Sequence, residues 1–384
     1  MTTVRLGDVC QQARDTVKPG ARPDLRYIGL ESIESGSGLF VERELSKTPE
    51  APLANSFRFG PEHVLYGKLR PYLNKVVIPA FEGKCSTEII PLLPSSDVDR
   101  TFLAYFLRSR QTVDLISAKT AGARMPRADM NFVFSLPLPL PPLPEQRRVV
   151  DLLSRAEGIV RLRREAEKKA AELIPALFLD MFGDPATNPK EWPLLKVSDF
   201  VSRFEGGKNI QAGSENGSPY RILKVSAATS GIYRESESKP SPDGYSPPAS
   251  HIVRAGDMLF SRANTEELVG ATAIVEKTDG RTLLPDKLWR FVWAEPVEIA
   301  YIHALFQSRH VRRELGKLSS GTSASMRNIS QGKLYGLRLP IAPHTQQKAF
   351  AERAATVQSI QSQQSAATVK AQATFDALLA QAFL

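Results

Sequence analysis

The sequence predicts an α+β protein: two similar globular domains, each a mixed β-sheet with helices, separated by two long antiparallel coiled-coil helices in a pseudo-twofold internal repeat. Three observations predict it. Sequence blocks recur about 200 residues apart, a heptad pattern begins after Pro144, and short β-like runs mixed with helical stretches precede each heptad block. The expected division is 1–144 for the first domain, 145–182 for a central long helix, 183–344 for the second domain and 345–384 for a C-terminal long helix.

The repeat comes first because it fixes the organisation. LPLPPLPEQRR at 138–148 aligns with LPIAPHTQQKA at 339–349, an offset of 201 that runs without a gap to the chain end and places Ala176, Leu177 and Phe182 on Ala377, Leu378 and Phe383. Upstream, RYIGLESI at 26–33 falls on YRILKVSA at 220–227 and VLYGKLR at 64–70 on MLFSRAN at 258–264, both at 194, while LGDVC at 6–10 falls on VSDFV at 197–201, at 191. A drifting offset means loop insertions; a constant one means a rigid element.

Each globular part carries β-like runs, among them Val76-Val77-Ile78, Glu88-Ile89-Ile90, His251-Ile252-Val253 and Arg290-Phe291-Val292-Trp293. Gly, Pro, Ser and Asn punctuate them, notably at 235–248. The stretches 100–118 and 298–318 read as helices.

From Glu145 the apolar residues Val149, Leu152, Ala156, Ile159, Ala166, Ala170, Leu173 and Leu177 fall at steps of three and four, with Arg163 filling the single longer gap. Pro144 suits a first helical position, and Pro175 predicts a kink or break near the end. The second copy keeps the register with Phe350, Ala354, Val357, Gln361, Gln364, Ala367, Ala371, Phe375 and Leu378. A lone helix of this length with one apolar stripe needs a partner. The gapless offset favours pairing of the two copies within one chain over a dimeric coiled coil, and chain order then requires them to run antiparallel.

Composition limits the function. Hydrophobic residues make up 42% and charged residues 24%, a globular balance. The net charge of +9 sits mostly in the two globular parts, with 18 Lys and Arg against 15 Asp and Glu in 1–144 and 21 against 17 in 183–344. This excess suits a polyanionic partner. Cys10 and Cys85 cannot form a disulfide framework or a four-cysteine zinc site, and the five histidines (His63, His251, His303, His310 and His344) show no metal-ligand spacing. No signal-peptide pattern opens the chain and no run of 18 apolar residues would span a bilayer, so a cytoplasmic protein with no membrane partner is expected. The spacing from Gly60 to Gly67-Lys68 is wrong for a phosphate-binding loop, and Gly36-Ser37-Gly38 does not continue a dinucleotide motif. No catalytic or metal-binding residue and no cofactor is expected.

Two basic units related by an approximate twofold match the symmetry of duplex DNA and would read two half-sites across a spacer set by the helices. In the first domain Lys68 and Arg70 follow the run VLY, and Arg262 and Asn264 take the matching places after MLF. Such side chains serve phosphates and base edges, with Arg and Lys suited to guanine and Asn to adenine. Gly122, Arg124 and Arg127 pair with Gly321, Ser323, Ser325, Arg327 and Asn328 in a second loop set, where glycine permits close backbone approach. The same residues also fit ordinary solvated loops. Arg309, Arg312 and Arg313 read as a solvated helix face.

The chain resembles the specificity subunits of type I restriction–modification systems, which read DNA for a methylating and cleaving complex. PLPPLPEQRR entering the first long helix, FLDMFGDP at 178–185 leaving it, MLFSRAN at 258–264 and GTSASMRNIS at 321–330 carry the resemblance. It covers essentially the whole chain, and it departs at His344-Thr345-Gln346-Gln347-Lys348, where Glu-Gln-Arg is usual. The resemblance implies a non-catalytic subunit that binds double-stranded DNA at a bipartite, asymmetric target. It implies docking of two modification (methyltransferase) subunits on the helices, through Val149, Leu152, Ala156, Ile159, Leu173, Leu177, Phe350, Val357, Phe375 and Leu378. Restriction (helicase–nuclease) subunits would complete the complex, which methylates adenine and cleaves DNA, and S-adenosylmethionine would sit on the methyltransferase partner. The alternative is a coiled-coil scaffold with no role in DNA binding.

Overall fold

The computed structural model describes the chain except residues 1, 14, 46–53, 121, 123, 216 and 324–325, and the side chains of 322 and 323. The candidate Ser325 and the side chain of Ser323 therefore lie outside the described residues. Two compact units form: residues 1–164 with 366–384, and residues 165–365.

In the first unit a four-stranded antiparallel sheet runs in the order Cys10–Gln12, Ile89–Pro94, Val64–Gly67, Val76–Val77. A second sheet orders Thr16–Val17, Ser56–Phe59, Gly83–Ser86, Arg26–Ile28, with its last pair parallel. The central strand Val64–Gly67 is buried on both faces, and alternation decides where each side chain goes. Val64 and Tyr66 join the core beneath the helices, while Leu65 joins Ile28, Phe59 and Cys85 on the other side.

The second unit repeats this plan. Its sheet runs Val201–Gly206, Leu288–Trp293, Met258–Ser261, Thr272–Ile274, and Arg221–Leu223 pairs in parallel with Thr282–Leu283 as Arg26–Ile28 does with Gly83–Ser86. Met258 and Phe260 face one core and Leu259 the other. A two-stranded ribbon closes each unit at its helix entrance, Thr3–Arg5 on Pro137–Pro139 and Leu194–Lys196 on Arg338–Pro340.

Three local expectations are corrected. The stretches 100–118 and 298–318 are each two helices, Arg100–Arg108 with Arg110–Ala118 and Ile299–Gln307 with Arg309–Leu318, because Ser109 and Ser308 are extended and cap the second helix of each pair. His251-Ile252-Val253 is not a strand: His251 ends a 3-10 turn and Ile252 makes an isolated bridge to Leu283. Arg312 is not solvated; its guanidinium donates to the carbonyl of Glu267 (2.7 Å) and burial lowers its pKa.

The long helices span Leu143–Ala171, Leu173–Phe182 and His344–Ala382. The break at Glu172 follows from Pro175, whose ring excludes a continuous helix because it clashes with the carbonyl four residues earlier, at Ala171. The buried stripe of the first helix is not the one read from the heptads. Gln146, Leu153 and Val160 are buried, whereas Leu152 and Ile159 are each 52% exposed and Leu173 is also exposed. Val149, Ala156 and Leu177 pack at the edge of the cores, as does Leu378, and Val357 is half-buried.

Both long helices contribute to each unit. In the first, Phe383 packs on Phe102 (5.0 Å between ring centroids) and Phe106 (5.5 Å), Phe375 on Tyr105 (6.3 Å), and Arg164 donates to Gln372 (2.9 Å). In the second, Phe182 packs on Tyr301 (4.7 Å) and Phe350 (5.6 Å), and Gln361 donates to the carbonyl of Ala170 (2.6 Å).

Candidate nucleic-acid interface

The residues after the central strand and the distant loop segment form one edge in each unit. Lys68 N–H donates to the Glu88 carbonyl (2.9 Å), Arg70 N–H to the Pro126 carbonyl (2.7 Å), and Ala128 N–H to the Lys68 carbonyl (2.8 Å). In the second unit Arg262 N–H donates to the Lys287 carbonyl (3.1 Å) and Ile329 N–H to the Arg262 carbonyl (2.9 Å). There Ala263 and Asn264 pair with Asn328 and Arg327, extending a hairpin of Ser320–Ser323 and Met326–Asn328 into three strands. The two candidate sets in each half are thus brought together by backbone hydrogen bonds.

Their side chains divide into free and tethered groups. Arg70 is exposed, sits in the left-handed region (φ +53°), and its side chain makes no hydrogen bond or ion pair among the described residues. Arg124 is likewise exposed, beside Gly122 at φ +98°. Arg127 is committed: Nε lies 3.0 and 3.1 Å from the two Glu88 carboxylate oxygens and a terminal nitrogen 2.8 Å from one of them. The hydrogen bonds from Arg127 hold the Glu88 carboxyl below the usual carboxylate range, with Lys68 adding to the pull.

In the second unit Arg262 donates to the Asp286 carbonyl (2.7 Å), lies 3.8 Å from its carboxylate, and sits over the Trp289 ring at 5.5 Å. Arg327 clasps the hairpin through Ser319 Oγ (3.0 Å) and the carbonyls of Ser319 (3.3 Å) and Gly321 (3.4 Å). A Cβ on Gly321 would run into the carbonyl oxygen of Met326, so the hairpin needs glycine there. Asn264 Oδ1 accepts from Thr265 N–H (2.8 Å), and Asn328 is half-buried. The carboxylates that organise each edge, Glu88 and Asp286, escaped sequence reasoning. Their one local signal is position, one or two residues before the strand beside the central one.

Residues 57–172, which include the first edge and the entry into the long helix, match the model of the type I restriction modification DNA specificity domain. Over this segment the chain is similar to that specificity domain. The resemblance read from its motifs is borne out by curated relatives that share it. It is 31% identical over 183 residues to the EcoDI specificity subunit of Escherichia coli, covering 47% of this chain and 40% of that one. It is 23% identical over 299 residues to the MjaVIII specificity subunit of Methanocaldococcus jannaschii, covering 73% and 68%. With the EcoEI specificity subunit of E. coli it shares 27% over 205 residues, and the chain spans only about a third (34%) of that relative's length.

A solved structure from work on complex assembly and conformational transition of the type I restriction–modification system matches over 100% of this chain and 97% of its own, at TM-score 0.62 and 20% identity. The S subunit from M. genitalium matches over 100% and 96%, at TM-score 0.52 and 10% identity. These likenesses show the fold.

Among the described residues no helix is long and apolar enough to cross a membrane. Within the departure at 344–348 Gln347 keeps the internal contact that Gln146 makes in the first copy. In the first unit Gln146 accepts from Asp99 N–H (2.8 Å) and donates to the carbonyls of Asp97 and Pro141 (both 2.8 Å). In the second, Gln347 accepts from Glu298 N–H (3.1 Å) and donates to the Ala342 carbonyl (2.8 Å). A buried glutamine stands at this position in both copies.

Proposed function

We propose that this chain is the DNA-reading specificity subunit of a type I restriction–modification complex and has no catalytic role of its own. Each unit reads one half of a bipartite, asymmetric target, and the antiparallel long helices between the two recognition domains set the unread gap. The observation that carries this reading is the repeated edge. A central strand delivers Lys68 and Arg70 in one unit and Arg262 and Asn264 in the other onto a loop stitched beside them. The side chains differ between the units, so the half-sites differ.

Two methyltransferase subunits dock on the long helices, where Leu152, Ile159 and Leu173 stand exposed. S-adenosylmethionine is bound by those partners, which methylate adenine, and helicase–nuclease subunits join for cleavage in the cytoplasm. The test is selection from random duplexes by the chain together with its methyltransferase partner. A bipartite consensus bound with steep salt dependence is expected. Binding of the partner with no selection of any sequence would return the scaffold reading.

A further inference from the structure

We propose that Met125 and Met326 are apolar base readers, each packing its side chain on the C5-methyl of a thymine in the major groove of its half-site; this rests on the DNA-reading function above. The structure extends the constant offset of 201 upstream of the proline-rich block. Ala128 and Ile329 make the same hydrogen bond to the strand exit, and the helices Met130–Ser135 and Gln331–Tyr335 follow under Asp129 and Ser330 caps. In that frame Met125 falls on Met326, methionine on methionine, in a stretch where arginine, serine, proline and asparagine otherwise differ between the copies.

Both methionines are held out to solvent, 48% and 57% exposed. A single exposed apolar side chain on a protein surface is ordinary. Its recurrence at the equivalent point of two diverged modules, beside the edge that would meet DNA, is not. Arg70 N–H binds the carbonyl of Pro126, the residue after Met125, and Asn264 pairs with Arg327, the residue after Met326. Each unit therefore presents one polar reader and one apolar reader on paired backbone, Arg70 with Met125 and Asn264 with Met326.

The groove follows from width. Met326 begins the middle strand of the three-stranded sheet, and at that end only the Ser320–Ser323 strand lies across from it, a two-stranded tip that fits a major groove roughly 12 Å wide and not a minor groove of roughly 6 Å. The one apolar feature on base edges there is the thymine methyl, and an unbranched thioether adapts its shape to it.

The test replaces each thymine of the selected target by deoxyuridine, one at a time, which removes the methyl and leaves pairing intact. Binding is measured with the chain in complex with its methyltransferase partner. In each half-site one substitution should weaken the wild-type complex about fourfold, the effect of one buried methyl. Met125→Ala should abolish that sensitivity in one half-site only and Met326→Ala in the other. Met326→Gln, similar in length but polar, should behave as Met326→Ala does.

Sensitivity to uracil that survives the alanine variants, a wild type indifferent to every methyl, or a half-site without an A·T pair would each overturn the proposal while the bipartite consensus stands. Failure of the wild type to select any sequence would instead strike the DNA-reading function itself.

Discussion

Glu88 decides what Arg127 can do. A guanidinium bound on two sides to one carboxylate is positioned but neutralised, so it shapes the edge more than it attracts phosphate. Because the folded pKa of Glu88 is depressed, its clasp is fully present above the ordinary carboxylate range and is lost only as the pH falls through the lower folded value. Around neutral pH the clasp stays closed. Glu88→Gln should free Arg127, raise affinity for random duplexes and steepen the salt dependence by about one released counterion, as read from a salt titration.

His303 supplies the titration in an acidic range. Burial lowers it to about 4, with Nδ1 2.9 Å from Thr272 Oγ1. The unfolded chain then takes up a proton, starting near pH 6.5, before the folded one does, so the second unit loses stability as the pH drops from about 6.5 to 4, by about 3 kcal/mol in all. Urea unfolding across that range should show the slope in the wild type and a flatter one in His303→Gln.

At the scale of the element, the long helices are tied to the globular parts by a polar clasp and an aromatic plug. Gln146→Leu leaves buried partners at Asp99, Asp97 and Pro141 unmatched and should destabilise the first unit by about 2–3 kcal/mol. Phe383→Ala empties the space against Phe102 and Phe106 and should cost about 3–5 kcal/mol. Denaturant unfolding of the full chain checks both, with the loss confined to the first unit.

The two long helices and the break ahead of Pro175 were legible because heptads and proline act within one or two turns. The buried face was not. Leu152 and Leu153 are neighbours on the chain, and only the position of Phe375, Leu379 and Phe383 beside the first unit's helices decides which of them is covered.

For the whole molecule, the ruler is the testable claim. Removing seven residues from each long helix shortens it by about 10 Å, or about three base pairs of duplex. The selected target should then lose about that many unread positions while both half-sites keep their sequence. An unchanged gap with altered half-sites would contradict the ruler.

The sequence by itself determined the duplication and the long helices, because these follow from repetition and from rules that act over a few residues. The tertiary structure decided which arginines are free, which stripe of the first helix is buried, and that the chain's last helix completes the unit its first residues begin. The reason is separation along the chain: Arg127 and Glu88 lie 39 residues apart, and Phe383 and Phe102 lie 281 apart (383 − 102). No local pattern encodes such a partner; only packing brings it within reach.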